Sequence, residues 1–167
     1  MLDISRLSSR YEVRIMNDAD VDVIFELCRK NREYYRWCGK ENSKELIISD
    51  LHITPPGIDI CDKYYVGFYD KEELMAVMDL IDGYPEKDTA FIGFFMMDHD
   101  HQGKGVGTVI IDEVSSYLKQ IGIKEIQLGI DKDNPQSNHF WKKNGFEVIR
   151  EIKREDGTIL YAGKSLR

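Results

Sequence analysis

The chain has 167 residues and a formal net charge of −7, from 23 Lys and Arg against 30 Asp and Glu. With 42% hydrophobic residues, 32% charged residues and four prolines, it holds enough apolar mass for one core, so a disordered or fibrous chain is excluded and one domain over residues 1–167 is expected. The acidic balance argues against a grip on phosphate backbones, which needs clustered positive charge, so no nucleic-acid partner is expected.

Tyr11, Val13 and Ile15 alternate with Glu12 and Arg14, the period of a half-buried first strand. Asn17 and Asp18 then offer a helix cap, and apolar residues at Val21, Ile24, Leu27 and Cys28 predict one helix running through Tyr34, Tyr35 and Trp37 to the break at Cys38-Gly39. A second helix is predicted from the Ser43 cap, with Ile47 and Leu51 on one face, stopping before Pro55-Pro56-Gly57. Residues 56–62 read as a loop. Three strands follow over 63–69, 74–81 and 89–97, separated by turn-rich segments, which is the pattern of an antiparallel meander. On the third, Phe91, Gly93 and Phe95 are expected on one face and Ala90, Ile92 and Phe94 on the other.

A long helix carries Val106, Val109, Ile110, Val114, Tyr117, Leu118 and Ile121 as one stripe ended by Gly122. Ile126, Leu128 and Ile130 make a short strand. Asn134 caps a further helix with Pro135 at its first position, and the segments 146–154 and 158–164 close the chain as a hairpin through Asp156-Gly157. The order β-α-α-β-β-β-α-β-α-β-β predicts an α/β (α+β) fold, a mixed sheet of about seven strands flanked by about four helices. Cys28, Cys38 and Cys61 show no ligand spacing, residues 1–7 have no apolar signal core, and the apolar run 91–97 is far short of the ~20 residues that span a bilayer. A cytoplasmic protein with reduced thiols and no membrane partner is expected.

The most informative segment is Gln102-Gly103-Lys104-Gly105-Val106-Gly107-Thr108, between the most apolar strand and the longest helix. Glycines let successive N–H groups converge and the helix terminus adds partial positive charge, so the junction suits a phosphate or pyrophosphate. A Walker A loop requires Ser or Thr after Gly-Lys, where Gly105 stands. A dinucleotide fingerprint requires GxGxxG within a βαβ unit, whereas this is GxGxG after a meander.

Gln102, Gly105 and Gly107 fit the pattern Gln/Arg-x-x-Gly-x-Gly/Ala, and Asn134, Ser137, Phe140, Trp141, Lys143, Gly145 and Phe146 fit Asn-x-x-Ala-x-x-Phe-Tyr-x-Lys-x-Gly-Phe with Ser and Trp at the Ala and Tyr places. On both motifs, in order and on the right elements, the chain resembles the GNAT N-acetyltransferase superfamily from about residue 11 to 166. The resemblance implies that acetyl-CoA is the cosubstrate, that the Met97 backbone holds the pantetheine arm, that Gln102 to Thr108 cradle the pyrophosphate, and that Asn134 contacts the coenzyme. Taken singly, the glycines are also explained by an ordinary helix-opening turn and Asn134 by an ordinary N-cap.

Acetyl transfer to an alkylamine needs a deprotonated acceptor: at a pKa near 10.4 only roughly one part in 2,500 is neutral at pH 7, equivalent to about 4.6 kcal/mol of barrier. The leaving thiol, with a pKa of roughly 8.5, asks less of an acid. The family's tyrosine acid is replaced by Trp141, whose indole N–H donates a hydrogen bond but does not give up its proton near neutral pH, so Trp141 is expected to orient or shield the thioester. Candidate catalytic groups are Asp79, polar in an apolar strand, and Tyr84 in the following turn; the alternatives are a solvent-facing Asp79, plain turn chemistry at Tyr84, and a water chain as the base. Asp98-His99-Asp100-His101 reads as a solvated connector, and no metal is predicted. Tyr34, Tyr35 and Trp37 border the acceptor in the family, with core packing expected for at least two of them.

The reading is therefore an acetyl-CoA-dependent N-acetyltransferase acting on a primary amine, of a small molecule, by direct attack. A non-catalytic acetyl-CoA binding module or sensor is the alternative, and a nucleotide-binding domain unrelated to coenzyme A a third. A homodimer is allowed by the sequence and not required.

Overall fold

In the computed structural model, which describes residues 1–167, the first strand is β1, Glu12–Ile15. Tyr11 and Val13 are buried as the alternation predicts, but Ile15 is 50% exposed and Met16 turns inward instead, its N–H donating to the Tyr65 carbonyl at 2.8 Å. The predicted first helix is two helices, α1 (Val21–Arg29) and α2 (Arg32–Cys38). The break falls at Asn31, whose backbone leaves the helical region at φ −96° and ψ 57°. Its buried side chain donates to the Leu27 carbonyl at 3.1 Å and, across the fold, to the Met97 carbonyl at 3.0 Å. A distant acceptor, invisible in local periodicity, thus ends α1 and raises the helix number to five.

The helix α3 (Lys44–His52) starts where predicted, with the Ser43 hydroxyl accepting from the Leu46 N–H at 3.1 Å, and buries Ile47 and Leu51. The strands β2 (Lys63–Asp70), β3 (Glu73–Asp82) and β4 (Thr89–Met97) form the antiparallel meander. Then come α4 (Val106–Gln120), β5 (Glu125–Asp131), α5 (Pro135–Lys143) and the hairpin of β6 (Glu147–Arg154) with β7 (Gly157–Ser165). Within α4 the apolar stripe is buried at Ile110, Val114, Tyr117 and Leu118 and half-buried at Val106 and Val109, while Ile121 lies beyond the helix and is 41% exposed. All seven strands belong to one mixed sheet in the order β1-β2-β3-β4-β5-β7-β6. The larger apolar cluster lies between the sheet and α4 and α5; the smaller one joins the opposite face to α1 and α3, with Tyr34 and Tyr35 packed against it. No helix is long and apolar enough to cross a membrane.

Two features of β4 place the site. Asp79 pairs with Phe94 but the next residue, Leu80, pairs with Ile92, so Gly93 is an extra, unpaired residue: a β-bulge. Beyond the bulge the facing of side chains inverts. Ala90 and Ile92 join the larger cluster before it, Phe95 and Met97 contact that cluster after it, and Phe94 and Met96 turn to the smaller one. The predicted facing of β4 is corrected accordingly, because one inserted residue moves every later side chain to the other face. The bulge also bends the strand. Parallel pairing of β4 with β5 stops at Ile92 with Leu128, leaving the remainder of both strands splayed apart.

Candidate active site

The splay opens a cleft in the middle of the sheet, and two cavities meet there. The first, of about 330 Å³, lies between the end of β4, the glycine loop and α5; the second, of about 200 Å³, lies between the splayed strands, α2 and the β6-β7 hairpin. Tyr34, Phe95, Asn134, Ser137 and Trp141 line both.

In the first cavity the glycines have two separate duties. Gly103 and Gly105 adopt φ +72° and +80°, the left-handed conformation that side chains disfavour. Gly107 instead sits under Phe140, where a Cβ would lie 3.0 Å from the ring, so its lack of a side chain lets α4 and α5 approach closely. The loop delivers the chain into α4 with no side-chain cap and no acidic residue in its first turn. The opening N–H groups of a helix have no intrahelical acceptor and carry the positive end of its dipole, so this terminus stays available to an anion. The lining as a whole contains no Asp or Glu, although the chain has 30 of them, and it does contain Lys143, His101 and His139. A carboxylate-free lining thereby coexists with a net charge of −7.

Met97, Gln102, Gly103, Gly105, Gly107, Thr108, Asn134 and Trp141 are brought together around this cavity. Lys104 is exposed and Val106 packs on the larger core cluster; neither lines the cavity. The Asn134 side chain caps α5 by accepting from the Ser137 N–H at 3.1 Å. Trp141 is 8% exposed, its ring centroid 4.9 Å from that of Phe140 and 5.0 Å from that of Phe146, so the indole forms a wall between the cavities and the core.

Just past the end of β4, on the edge facing β3, the Asp98 N–H donates to the Met75 carbonyl at 2.8 Å, in the register that pairs Met97 with Ala76. By the alternation of an antiparallel ladder, the peptide groups of Met97 and Phe95 therefore point away from β3 into the cleft. The Met97 carbonyl is already occupied by Asn31 Nδ2 at 3.0 Å, with Gln102 Nε2 at 3.4 Å. The implied role of the Met97 backbone is thereby narrowed to its N–H. Asn31 Oδ1 accepts from Gln102 Nε2 at 2.6 Å, and Gln102 Oε1 accepts from Gln136 Nε2 at 3.0 Å. This chain of amides connects the α1-α2 break, the end of β4, the glycine loop and α5. Sequence reading missed Asn31 because its partners are 66 and 71 residues away. Asn31→Ala is expected to cost about 1–3 kcal/mol, the range for stranding a buried polar partner, measured by urea unfolding.

Asp98, read from sequence as part of a solvated connector, is 6% exposed. Its carboxylate takes Lys30 Nζ at 3.1 Å and His101 Nδ1 at 2.8 Å, and also accepts from the Asp100 N–H, which fastens the β4 exit beneath the glycine loop. Burial pushes its pKa up, but the His101 and Lys30 contacts outweigh that and hold it below the ordinary Asp value. A lowered folded-state pKa contributes stability that is present above the unfolded-state pKa and lost as pH falls through the folded one. Stability is therefore expected to decline as pH drops below about 4, and Asp98→Asn to flatten that decline in urea titrations at stepped pH.

Neither catalytic candidate reaches the cavities. Asp79 is 7% exposed and pairs with Lys63, Oδ2 to Nζ 2.6 Å, behind the bulge: a Cβ on Gly93 would lie 2.8 Å from that same Oδ2. The solvent-facing alternative for Asp79 is overturned as well. Tyr84 packs edge-to-face on Phe91, centroids 5.4 Å apart, and lines neither cavity. The carboxylates that do border the second cavity are Asp131 and Asp156.

The sheet, split at a bulge, thus carries one cavity at an uncapped helix terminus and a second cavity on the other side of a shared wall. The model of the acetyltransferase (GNAT) family matches residues 17–146, and the chain belongs to that family. It is an acyltransferase, with acetyl-CoA as cosubstrate. An uncharacterized N-acetyltransferase of Methanocaldococcus jannaschii is 22% identical, over 91% of this chain and 67% of that protein. A spermidine N(1)-acetyltransferase of Thermoplasma acidophilum is 21% identical, over 82% of this chain and 88% of its own length. In fold, the crystal structure of an acetyltransferase from Thermus thermophilus is similar at a TM-score of 0.74 and 20% identity, covering 92% of this chain and 96% of that one.

Proposed function

We propose that the protein, as one cytoplasmic catalytic domain, transfers the acetyl group of acetyl-CoA to a primary amine of a small molecule by direct attack. The observation that carries this reading is the meeting of a carboxylate-free cavity at a glycine-loop helix terminus with a second, separately lined cavity. The pyrophosphate lies against the backbone around Gly103 to Thr108, and the pantetheine arm runs along the splayed edge of β4 toward the shared wall of Phe95, Asn134 and Trp141. The acceptor enters from the other side, past Tyr34. At about 200 Å³ the second cavity is below the size of ordinary drug-sized sites, which suits a small acceptor or the end of a larger one.

The ammonium of the acceptor surrenders two protons over the reaction. One is lost before attack, to solvent or to a carboxylate at the cavity; the other ends on the coenzyme sulfur as the C–S bond breaks and the amide C–N bond is complete. The charge that develops on the carbonyl oxygen is met by an N–H from the cleft edge of β4. The test is release of coenzyme A thiol from acetyl-CoA across a panel of small amines. Acceptor-dependent release with product acetylated on nitrogen supports the reading. Tight coenzyme binding with no turnover on any amine overturns it in favour of a binding module.

A further inference from the structure

We infer that the acceptor is an amino-acid-type molecule, carrying a carboxylate beside its primary amine, and that Lys40 and Arg154 take the carboxylate while Asp131 takes the ammonium. This rests on the acceptor role of the second cavity proposed above. The charged side chains lining that cavity are two cations, Lys40 and Arg154, and two anions, Asp131 and Asp156. They come from four different places: the chain just after α2, the ends of β6 and β5, and the hairpin turn. None of the four is in an ion pair within the protein, and the Asp131 carboxylate accepts only the nearby Asp133 N–H, at 3.0 Å.

A site for an amine of purely positive charge gains from carboxylates and loses from cations, so two lysine or arginine side chains on its wall oppose binding. A one-to-one lining fits a zwitterion, and the planar fork of a guanidinium fits a carboxylate in particular. The placement of charges also orients the acceptor. Asp131 is half-buried, and its backbone carbonyl accepts the N–H of Asn134, a residue that lines both cavities, so the half-buried anion of this lining belongs to the residue next to the shared wall, the side on which the proposed function puts the thioester. Lys40, Arg154 and Asp156 are exposed at the solvent side, where the two cations outnumber the one anion. An acceptor held amine-inward and carboxylate-outward follows. The floor between them is uncharged, from Ile92, Phe94, Leu128 and Ile130, and accommodates an apolar or aromatic side chain.

The test compares matched pairs that differ only in the carboxylate, tyrosine with tyramine and lysine with cadaverine. Each is titrated calorimetrically into the protein saturated with coenzyme A, and each is assayed by thiol release with acetyl-CoA. The amino acid of at least one pair is expected to bind about ten-fold or more tightly than its decarboxylated partner, the scale of one charge-assisted contact. In the double variant Lys40→Gln with Arg154→Gln that ratio is expected to fall close to one, while Asp131→Asn weakens both members of the pair. Equal or tighter binding of the decarboxylated amines, or a ratio untouched by the double variant, overturns the inference. If thiol release is absent with every acceptor, the catalytic reading fails, and the calorimetric ratio still decides the acceptor class.

Discussion

Asp79→Ala is expected to lower stability by about 3–5 kcal/mol, the cost of removing one partner from a buried ion pair. The side chain of Lys63 is 2% exposed and that of Asp79 10%, with Nζ and Oδ2 2.6 Å apart. Without the carboxylate the ammonium is left in a core region bounded by Tyr65 and the sheet, with no other anion within ion-pair distance. Burial pushes the Asp79 carboxyl pKa up from its ordinary value, and the Lys63 ammonium opposes this. The Oδ1 atom, buried and without a hydrogen-bond partner, adds to the cost of keeping the pair. A double variant, Lys63→Met with Asp79→Leu, is expected to recover most of the loss, since an apolar pair of similar volume avoids desolvating two charges. Urea unfolding of the three variants checks both statements, and acetyl-transfer rates in the double variant separate structure from chemistry. Activity retained there places Asp79 outside the proton path; activity lost in a stably folded double variant restores it as a base acting through the gap at Gly93.

Gly105→Val is expected to raise the KM for acetyl-CoA by about 10- to 100-fold, the equivalent of one or two charge-assisted hydrogen bonds. At this position a Cβ would meet nothing within 4 Å, so no clash is involved. The effect comes from φ +80°, a conformation that costs an L-residue roughly 1–2 kcal/mol and a β-branched one more, so the loop relaxes and its N–H groups no longer converge. Lys104→Ala is the matched comparison. Lys104 is exposed and lines no wall, so its removal is expected to change KM less than about three-fold and chiefly at low salt. Steady-state kinetics at two ionic strengths distinguish backbone recognition from charge attraction. A Lys104 effect as large as that of Gly105 would show that the anion is held by the lysine.

Much of the glycine-loop side of the cleft was legible in the sequence because it is made of local signals. Left-handed glycines, an N-cap such as Asn134 followed by Pro135, and the apolar stripe of α4 act within a few residues of themselves, and all are present where periodicity and capping place them. The same locality explains the meander and the closing hairpin, whose turns and alternations are nearest-neighbour properties. The elements read wrongly are those set by distant partners. Asn31 ends α1 because the Met97 carbonyl and Gln102 are within its reach, and nothing near residue 31 in the chain announces either.

The sequence by itself determined the family, the order of elements apart from the α1-α2 break, and the glycine loop that opens α4, since each is carried by residue types at fixed short spacing. The tertiary structure alone decided where the cleft opens, which faces of β4 line it, and that Asp79 is spent on Lys63 while Asp131 borders the second cavity. One inserted residue at Gly93 is the physical reason for the first two. A bulge inverts side-chain facing and releases the strand from its neighbour, and its presence depends on pairing between strands rather than on the composition of either.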